Sequence, residues 1–336
     1  MRRIVVIALV VGVVGLAGCV GPGALEDGDG VEPDKEAGTV EVTGQLETHH
    51  IDVGQADATL IRTPADETIL IDSGGWRQDG SDVIEYLDEQ GVDRIDHLVA
   101  THPHADHIGG HAAIIEAFET DHDGIGTVYD AGVPHTSQTY ENYLDAVDEH
   151  GHELQIVRSG DELPLAGQNV TATVLNPPEG ADGADLHDAS VGVLIEFGDV
   201  RYLTTGDAEQ EVEAQLLERW AGELDADIYQ AGHHGSSTSS SEAFLDAVDP
   251  EIAIISSALD SQYGHPHDET LEAFADREIE TYWTGTHGDV VVTTDGSTVD
   301  VTTTEAAPTD PTELLGVKSE AASEAIDPRA AIGVIG

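Results

Sequence analysis

Lysine is almost missing from this chain: two of 336 residues, Lys35 and Lys318. Twelve basic residues face 67 acidic ones, for a formal charge of −55. A protein so short of cations has no basic face with which to neutralise phosphates, which argues against ordinary nucleic-acid binding. Cysteine is as scarce, with Cys19 the single one. No disulfide framework and no cysteine-based zinc ribbon can be built from it. Aromatic residues make up only 4%. The 39% of hydrophobic residues still suffices for a core and excludes full disorder. No internal repeat of solenoid type is visible, and the length sets only a soft bound on the number of domains.

Carboxylates are spread along the whole chain, as in the proteins of extreme halophiles. In about 1 M salt the Debye length shrinks to about 3 Å, so self-repulsion at this charge is tolerable. Under those conditions the negative charge does not exclude an anionic substrate.

Residues 1–18 read as a signal peptide. Arg2 and Arg3 precede an apolar run from Ile4 to Ala17, which is short for a membrane span. Leu16-Ala17-Gly18-Cys19 has the form of a lipobox, with Cys19 as the lipidation site; an uncleaved N-terminal anchor is the alternative. Either reading puts the remainder outside the cytoplasm, held at the membrane. Residues 19–40 read as an acidic linker. Residues 41–304 form the expected folded body, and 305–336 a flexible tail with room for one short helix.

In the body, strand-like runs alternate with amphipathic helices, the pattern of a layered α/β domain. Expected strands include His49–Val53, Ala58–Ile61, Thr68–Ile71, Ile95–Ala100, Thr127–Tyr129, Val170–Leu175 and Val191–Glu196. Val200–Thr204, Ile228–Gln230, Ile252–Ile255, Glu280–Trp283 and Val290–Thr293 continue the series, and Val40–Val42 would precede it. Helices fit Asp82–Gln90, Gly110–Glu119, Tyr140–His150, Ala208–Trp220, Glu242–Val248 and Glu269–Ala275.

The strongest chemical signal is Thr101-His102-Pro103-His104-Ala105-Asp106-His107-Ile108-Gly109-Gly110, directly after an apolar strand. Imidazoles two apart on a loop can converge on one metal, while Asp106 and His107 turn towards a second. A solvated loop rarely gathers three histidines and an aspartate within six residues.

This HxHxDH loop resembles that of the metallo-β-lactamase superfamily. The resemblance implies a four-layer αββα sandwich carrying a one- or two-metal hydrolytic centre. Ile71-Asp72-Ser73-Gly74, Thr205-Gly206-Asp207 and Ala231-Gly232-His233-His234 look like the later elements of the family's site, in order. Within it, four segments are most similar to the hydrolase domain of the DNA-uptake protein ComEC. They are Ile51–Ala58, Leu203–Glu209, His233-His234-Gly235-Ser236 and Tyr263-Gly264-His265-Pro266. The channel domain of those proteins has no counterpart here.

The resemblance implies His102, His104 and His187 around a first metal, with His135 competing for the place of His187. It implies Asp106, His107 and His233 around a second, with Asp207 bridging and Asp72 orienting an imidazole from behind. Two divalent ions are expected, zinc first, with manganese or iron accepted by the same donors. A metal-bridging hydroxide would attack, Asp106 and Asp207 would anchor the reacting centre, and His234 and His265 would meet phosphate or the leaving oxygen. Ser236–Ser241 fits either a phosphate cradle or a helix cap. His111 would sit behind the site or face solvent, Trp76 would line the mouth or pack, and His49, His50, His122, His150, His152 and His287 would be structural or surface residues.

The expected function is therefore a lipid-anchored, extracytoplasmic metallohydrolase acting on phosphodiesters, DNA among them, with no obligate protein partner. A lactonase or thioesterase on the same site, or a metal-holding lipoprotein without catalysis, are the alternatives.

Overall fold

The computed structural model describes residues 42–326 apart from 168 and 182–184. Cys19, its signal segment and linker, and residues 40–41 of the first expected strand lie outside the described residues. The first half comprises β1 (Leu46–His50), β2 (Thr59–Arg62), β3 (Thr68–Ile71), α1 (Ser81–Glu89), β4 (Ile95–Val99), α2 (His111–Asp121), β5 (Ile125–Asp130), α3 (Gln138–Glu149) and β6 (Leu154–Ile156). The second comprises β7 (Val170–Asn176), β8 (Gly192–Phe197), β9 (Val200–Thr204), α4 (Gln210–Arg219), β10 (Ile228–Gln230), α5 (Glu242–Val248), β11 (Ile252–Ile255), α6 (Asp268–Ala275), β12 (Glu280–Trp283), α7 (Thr284–His287), β13 (Val290–Thr294), β14 (Val299–Thr303) and α8 (Pro311–Ile326).

Two sheets face each other. One has the order β14-β13-β1-β2-β3-β4-β5-β6, the other β12-β11-β10-β9-β8-β7. Ile69, Ile71 and Val99 of the first interleave with Val193, Ile195, Tyr202 and Ile254 of the second. Behind the first sheet, Leu70, Leu98 and Val128 pack on Leu87, Ile115, Phe118 and Tyr143 of α1 to α3. Behind the second, Leu203, Tyr229 and Ala253 pack on Leu216, Phe244 and Phe274 of α4 to α6. This is the αββα sandwich. Buried strands are mostly apolar runs, which is why β3 and β9 to β11 lie at their expected bounds; the edge strand β12 also lies at its expected bounds.

The differences fall at strand ends and sheet edges. β1 ends at His50 rather than Val53, since only Leu46–His50 pair with β13 and β2. Residues from Ile51 onward leave the sheet and loop to the site. Val42 is not in a strand. Two edge strands had not been anticipated, the three-residue β6 and the half-exposed β14, whose Val299–Thr303 pairs with β13.

The tail needs the larger correction. Residues 311–326 form α8, and Leu314 is fully buried in the cluster behind the second sheet. Thr281 N–H donates to Thr309 O, and Lys318 meets Asp268 of α6 at 2.5 Å. The folded body thus runs well past 304. One apolar pair, Leu314-Leu315, carries this docking, too little periodicity to stand out in sequence. Leu314→Ala should therefore lower unfolding free energy by about 3 kcal/mol, measured by denaturant titration in molar salt. An unchanged midpoint would mean that α8 adds nothing to the body.

Among the described residues only Asp57, Asp72, Asp130, Asp207 and Glu213 are buried carboxylates. Burying a carboxylate is costly unless it is partnered. Three of these five surround the histidine cluster.

Candidate metal centre

The parallel strands of both sheets end on the same rim, the usual place for a site in such sheets. From β3 comes Asp72, from β4 the His102–His107 loop, from β9 Asp207, and from β10 the pair His233-His234. The loop is zipped in place by main-chain bonds. Ser73 N donates to His107 O (2.7 Å), Trp76 N to Ala105 O (3.0 Å) and Asp57 N to Asp106 O (3.1 Å). Gly109 is required by this closeness, since a Cβ there would lie 2.2 Å from Trp76 N.

Three side chains of the site sit on left-handed backbone: Asp72 at φ 58°, His233 at φ 52° and His234 at φ 57°. Such strain at non-glycine residues persists only where the surroundings fix it, and it clusters at functional sites. It turns the two neighbouring imidazoles in different directions.

Two groups of ligand atoms result. His102, His104, His187 and Asp207 form one, and Asp57, His107, Asp207 and His234 form the other, each set lying within 4.8 Å. Asp207 belongs to both. Its Oδ2 lies 3.5 Å from His102 Nε2, and its Oδ1 lies 3.1 Å from His107 Nε2. That second pair is close yet not aligned as a hydrogen bond, for His107 Nε2 and Asp207 Oδ1 are both buried without a partner. His234 Nε2 is a third such atom. His102 Nε2 and His104 Nδ1 face each other at 2.9 Å. Imidazole nitrogens and carboxylate oxygens converging in this way are what a cation satisfies, and imidazole with carboxylate is a zinc-type donor set. The residues fit two divalent ions.

The electrostatics agree. Burial disfavours the charged form of His107 and His234, yet Asp207 with Asp72 or Asp57 overcomes it. His234 is raised to about 9 and His107 well above the ordinary value. Burial would raise Asp207, but His107, His234 and His102 hold it well below the usual carboxylate range. His102 is kept neutral, mainly by burial. The cluster attracts positive charge to its centre.

Asp72 supports this from behind. Its carboxylate accepts from Thr101 N (2.9 Å), from Thr101 Oγ (2.6 Å) and from His107 Nδ1 (2.6 Å). That fixes the His107 tautomer with Nε2 facing Asp207. Asp72→Asn removes one acceptor oxygen and should weaken metal affinity and turnover by about 10–100-fold. Metal titration with a competing chelator measures it, and an unchanged affinity would make Asp72 merely structural.

The structure groups His234 with His107 and Asp207, while His233 Nε2 approaches the other carboxylate oxygen of Asp207, Oδ2, at 3.6 Å. His234 Nδ1 donates to Ser256 O (3.0 Å), leaving Nε2 for the centre. His233 instead joins His187 and Glu209 at the mouth, its Nδ1 3.4 Å from Glu209. Asp106 stands at the edge of the second group, 3.5 Å from His234 Nε2. Asp57, given no role from sequence, lies inside it. Its sequence signals are its place in the Ile51–Ala58 segment that carries the resemblance and its charge between Ala56 and Ala58. His187 joins the first group, while His135 stays at the rim with Nδ1 2.9 Å from Ser137 Oγ.

His265 lines the same cleft of about 410 Å³ without joining either group. Burial, then His234, pushes its imidazole down to about 4, so it is neutral at neutral pH. His111 is buried against Ser73 Oγ (2.5 Å) rather than solvent-facing. The main-chain N–H groups of the serine run are already paired within the protein, and Ser241 at the start of α5 makes no side-chain cap bond. Ser240 N and Ser241 N donate to the buried Glu213, and Ser237 N donates to His267. A larger cleft of about 500 Å³ at the opposite strand ends holds Arg62 and Arg94, already paired with Glu47 and Asp96.

Residues 51–258 match the family model described as the metallo-beta-lactamase superfamily. The chain belongs to the metallo-β-lactamase superfamily. Among curated relatives, ComE operon protein 3 of Bacillus subtilis (strain 168) is 30% identical over 265 residues, covering 74% of this chain and 33% of that protein. Competence protein ComA of Neisseria gonorrhoeae is 32% identical over 215 residues, covering 64% of this chain and 27% of its own length. The chain thus spans about a third or less of these ComEC-type relatives. Among solved structures, the metallo-beta-lactamase fold protein YhfI from Bacillus subtilis aligns with TM-score 0.48 at 12% identity, over 76% of this chain and all of that one. Superfamily membership and the paired ligand groups make the chain a metal-dependent hydrolase in type.

Proposed function

We propose that this metallo-β-lactamase-superfamily protein is a phosphodiesterase with two divalent metal ions, zinc the first choice. The observation that carries the reading is Asp207, shared by two groups of buried ligand atoms. Ions held there would polarise a scissile bond and lower the pKa of water. The chain's own residues do the rest. Asp72 and Ser256 O fix two imidazoles, and the left-handed turn at 233–234 aims His234 inward. His265, neutral and bonded through Nδ1 to Gln55 Nε2 at 3.3 Å, is placed to meet a phosphate or leaving oxygen. The phosphodiester substrate is supported by the similarity to proteins one of which is named for competence. The same reading puts the enzyme outside the cytoplasm, anchored through Cys19, in a molar-salt setting that screens its −55 charge from an anionic substrate.

The test is hydrolysis of a chromogenic phosphodiester and of single-stranded DNA, in molar KCl with zinc or manganese. Lactones and thioesters are assayed beside them. Phosphodiester turnover dependent on added metal is expected. Ready opening of lactones or thioesters with phosphodiesters left intact would refute the reading.

A further inference from the structure

A second cleft, of about 220 Å³, adjoins the metal cleft and shares Gln55, Ala105, Asp106 and Tyr263 with it. Its rim is unusual for this protein. Only four large apolar side chains are exposed among the described residues, and Trp76 (56%) and Tyr263 (59%) are two of them. Both line this cleft. Trp76, which the sequence leaves open as mouth or packing, is more than half exposed at the mouth. Keeping two of 15 aromatic residues bare beside the site has no value for stability.

Arg77 adds to it. Its guanidinium carbon stands 5.0 Å from the centre of the Trp76 ring. Arg62, Arg94, Arg201 and Arg277 are all paired with carboxylates. Arg77 forms no ion pair among the described residues, in a chain with 67 acidic residues. The lining also holds the amides of Gln55, Gln78 and Gln262, which offer both donors and acceptors. Gln55 Oε1 is buried without any partner.

We propose that this rim is a nucleobase subsite, where Trp76 and Tyr263 stack an unpaired base next to the phosphodiester at the metals. The inference rests on the phosphodiesterase reading and narrows its substrate to single-stranded nucleic acid. Every base presents a π-face that an aromatic ring can cover, whatever the sequence. In a duplex those faces are already covered by neighbouring bases, so only an unpaired base fits. Gln55 Oε1 can accept an N–H from a base edge, and Arg77 supplies a cation to the flanking phosphate. The logic suits the charge. In molar salt a protein with so few cations gains little from phosphate contacts, and stacking is the attraction that remains.

The test compares dodecathymidylate with an equally long abasic phosphodiester strand, using the full metal-loaded chain in molar KCl. Initial cleavage rates and binding by fluorescence anisotropy are both read. About tenfold preference for the base-bearing strand is expected. Trp76→Ala and Tyr263→Ala should each erase most of that preference, whereas Trp76→Phe and Tyr263→Phe should keep it. Equal handling of the two strands, or a preference that survives both alanine variants, overturns the subsite while leaving the phosphodiesterase reading intact. Preferential binding of dodecathymidylate without cleavage of either strand would keep the subsite and remove the phosphodiesterase reading.

Discussion

Asp207→Asn is expected to cut turnover by about 10³-fold or more and to lower bound metal from two ions per chain to one at most. The size follows from several kcal/mol of charge stabilisation that a metal pair supplies. No other residue belongs to both histidine-containing groups at the centre. Its oxygens divide between them, Oδ2 towards His102 and Oδ1 towards His107 and, at 3.9 Å, His234. Its main-chain N–H is held by Ser190 Oγ at 3.2 Å, so the backbone should stay in place when the side chain changes. Asparagine keeps the shape and one oxygen but loses the negative charge that draws cations to the five imidazoles of the two groups. Elemental analysis after gel filtration, with turnover on the same sample, reads both effects. Two metals retained with turnover within tenfold of the parent would show that Asp207 does not join the groups.

Acid should destabilise the fold through a residue away from the metals. His50, at the end of β1, is fully buried, its Nε2 has no partner, and its Nδ1 has only Thr59 Oγ at 3.4 Å. Burial, with a smaller push from His49, lowers its imidazole to about 3 against 6.5 for the ordinary residue. The folded state thus binds this proton less readily than the unfolded chain does. Stability from His50 is complete above pH 6.5 and is lost as pH falls from there towards 3. The loss approaches about 5 kcal/mol at the acid end, and by pH 4.5 it is about 3 kcal/mol. His50→Leu removes this titration. Its unfolding free energy should fall less steeply than the parent's between pH 7 and 4.5, in denaturant titrations at fixed salt. His102 and His111 are also lowered, mainly by burial, and give both proteins a shared acid slope, so the difference isolates His50. Parallel losses in the two proteins would sink the assignment.

The tail shows how little sequence signal a docked element can need. The apolar pair Leu314-Leu315 and an ion pair fasten α8, a short signal within a mostly polar stretch. The edge strands β6 and β14 escaped notice for a related reason, since half-exposed strands lack the apolar runs that mark β9 to β11.

By itself the sequence determined which layers form and where the chemistry gathers. Short apolar runs bounded by turn residues mark buried strands, and three histidines with an aspartate after one of them mark a metal-ligand loop. Tertiary structure decided which side chain points where. The resemblance distinguishes His233 from His234 but not the direction in which each turns, and the left-handed turn at 233–234 buries His234 and leaves His233 part-exposed. Asp57, His187 and His135 are likewise sorted by loops whose paths depend on contacts made far along the chain. Trp76 and Tyr263 stand at one cleft only because two distant loops end there. Local pattern fixes a residue's burial and its element, but direction within a loop is set by backbone dihedrals and distant packing, which no local pattern records.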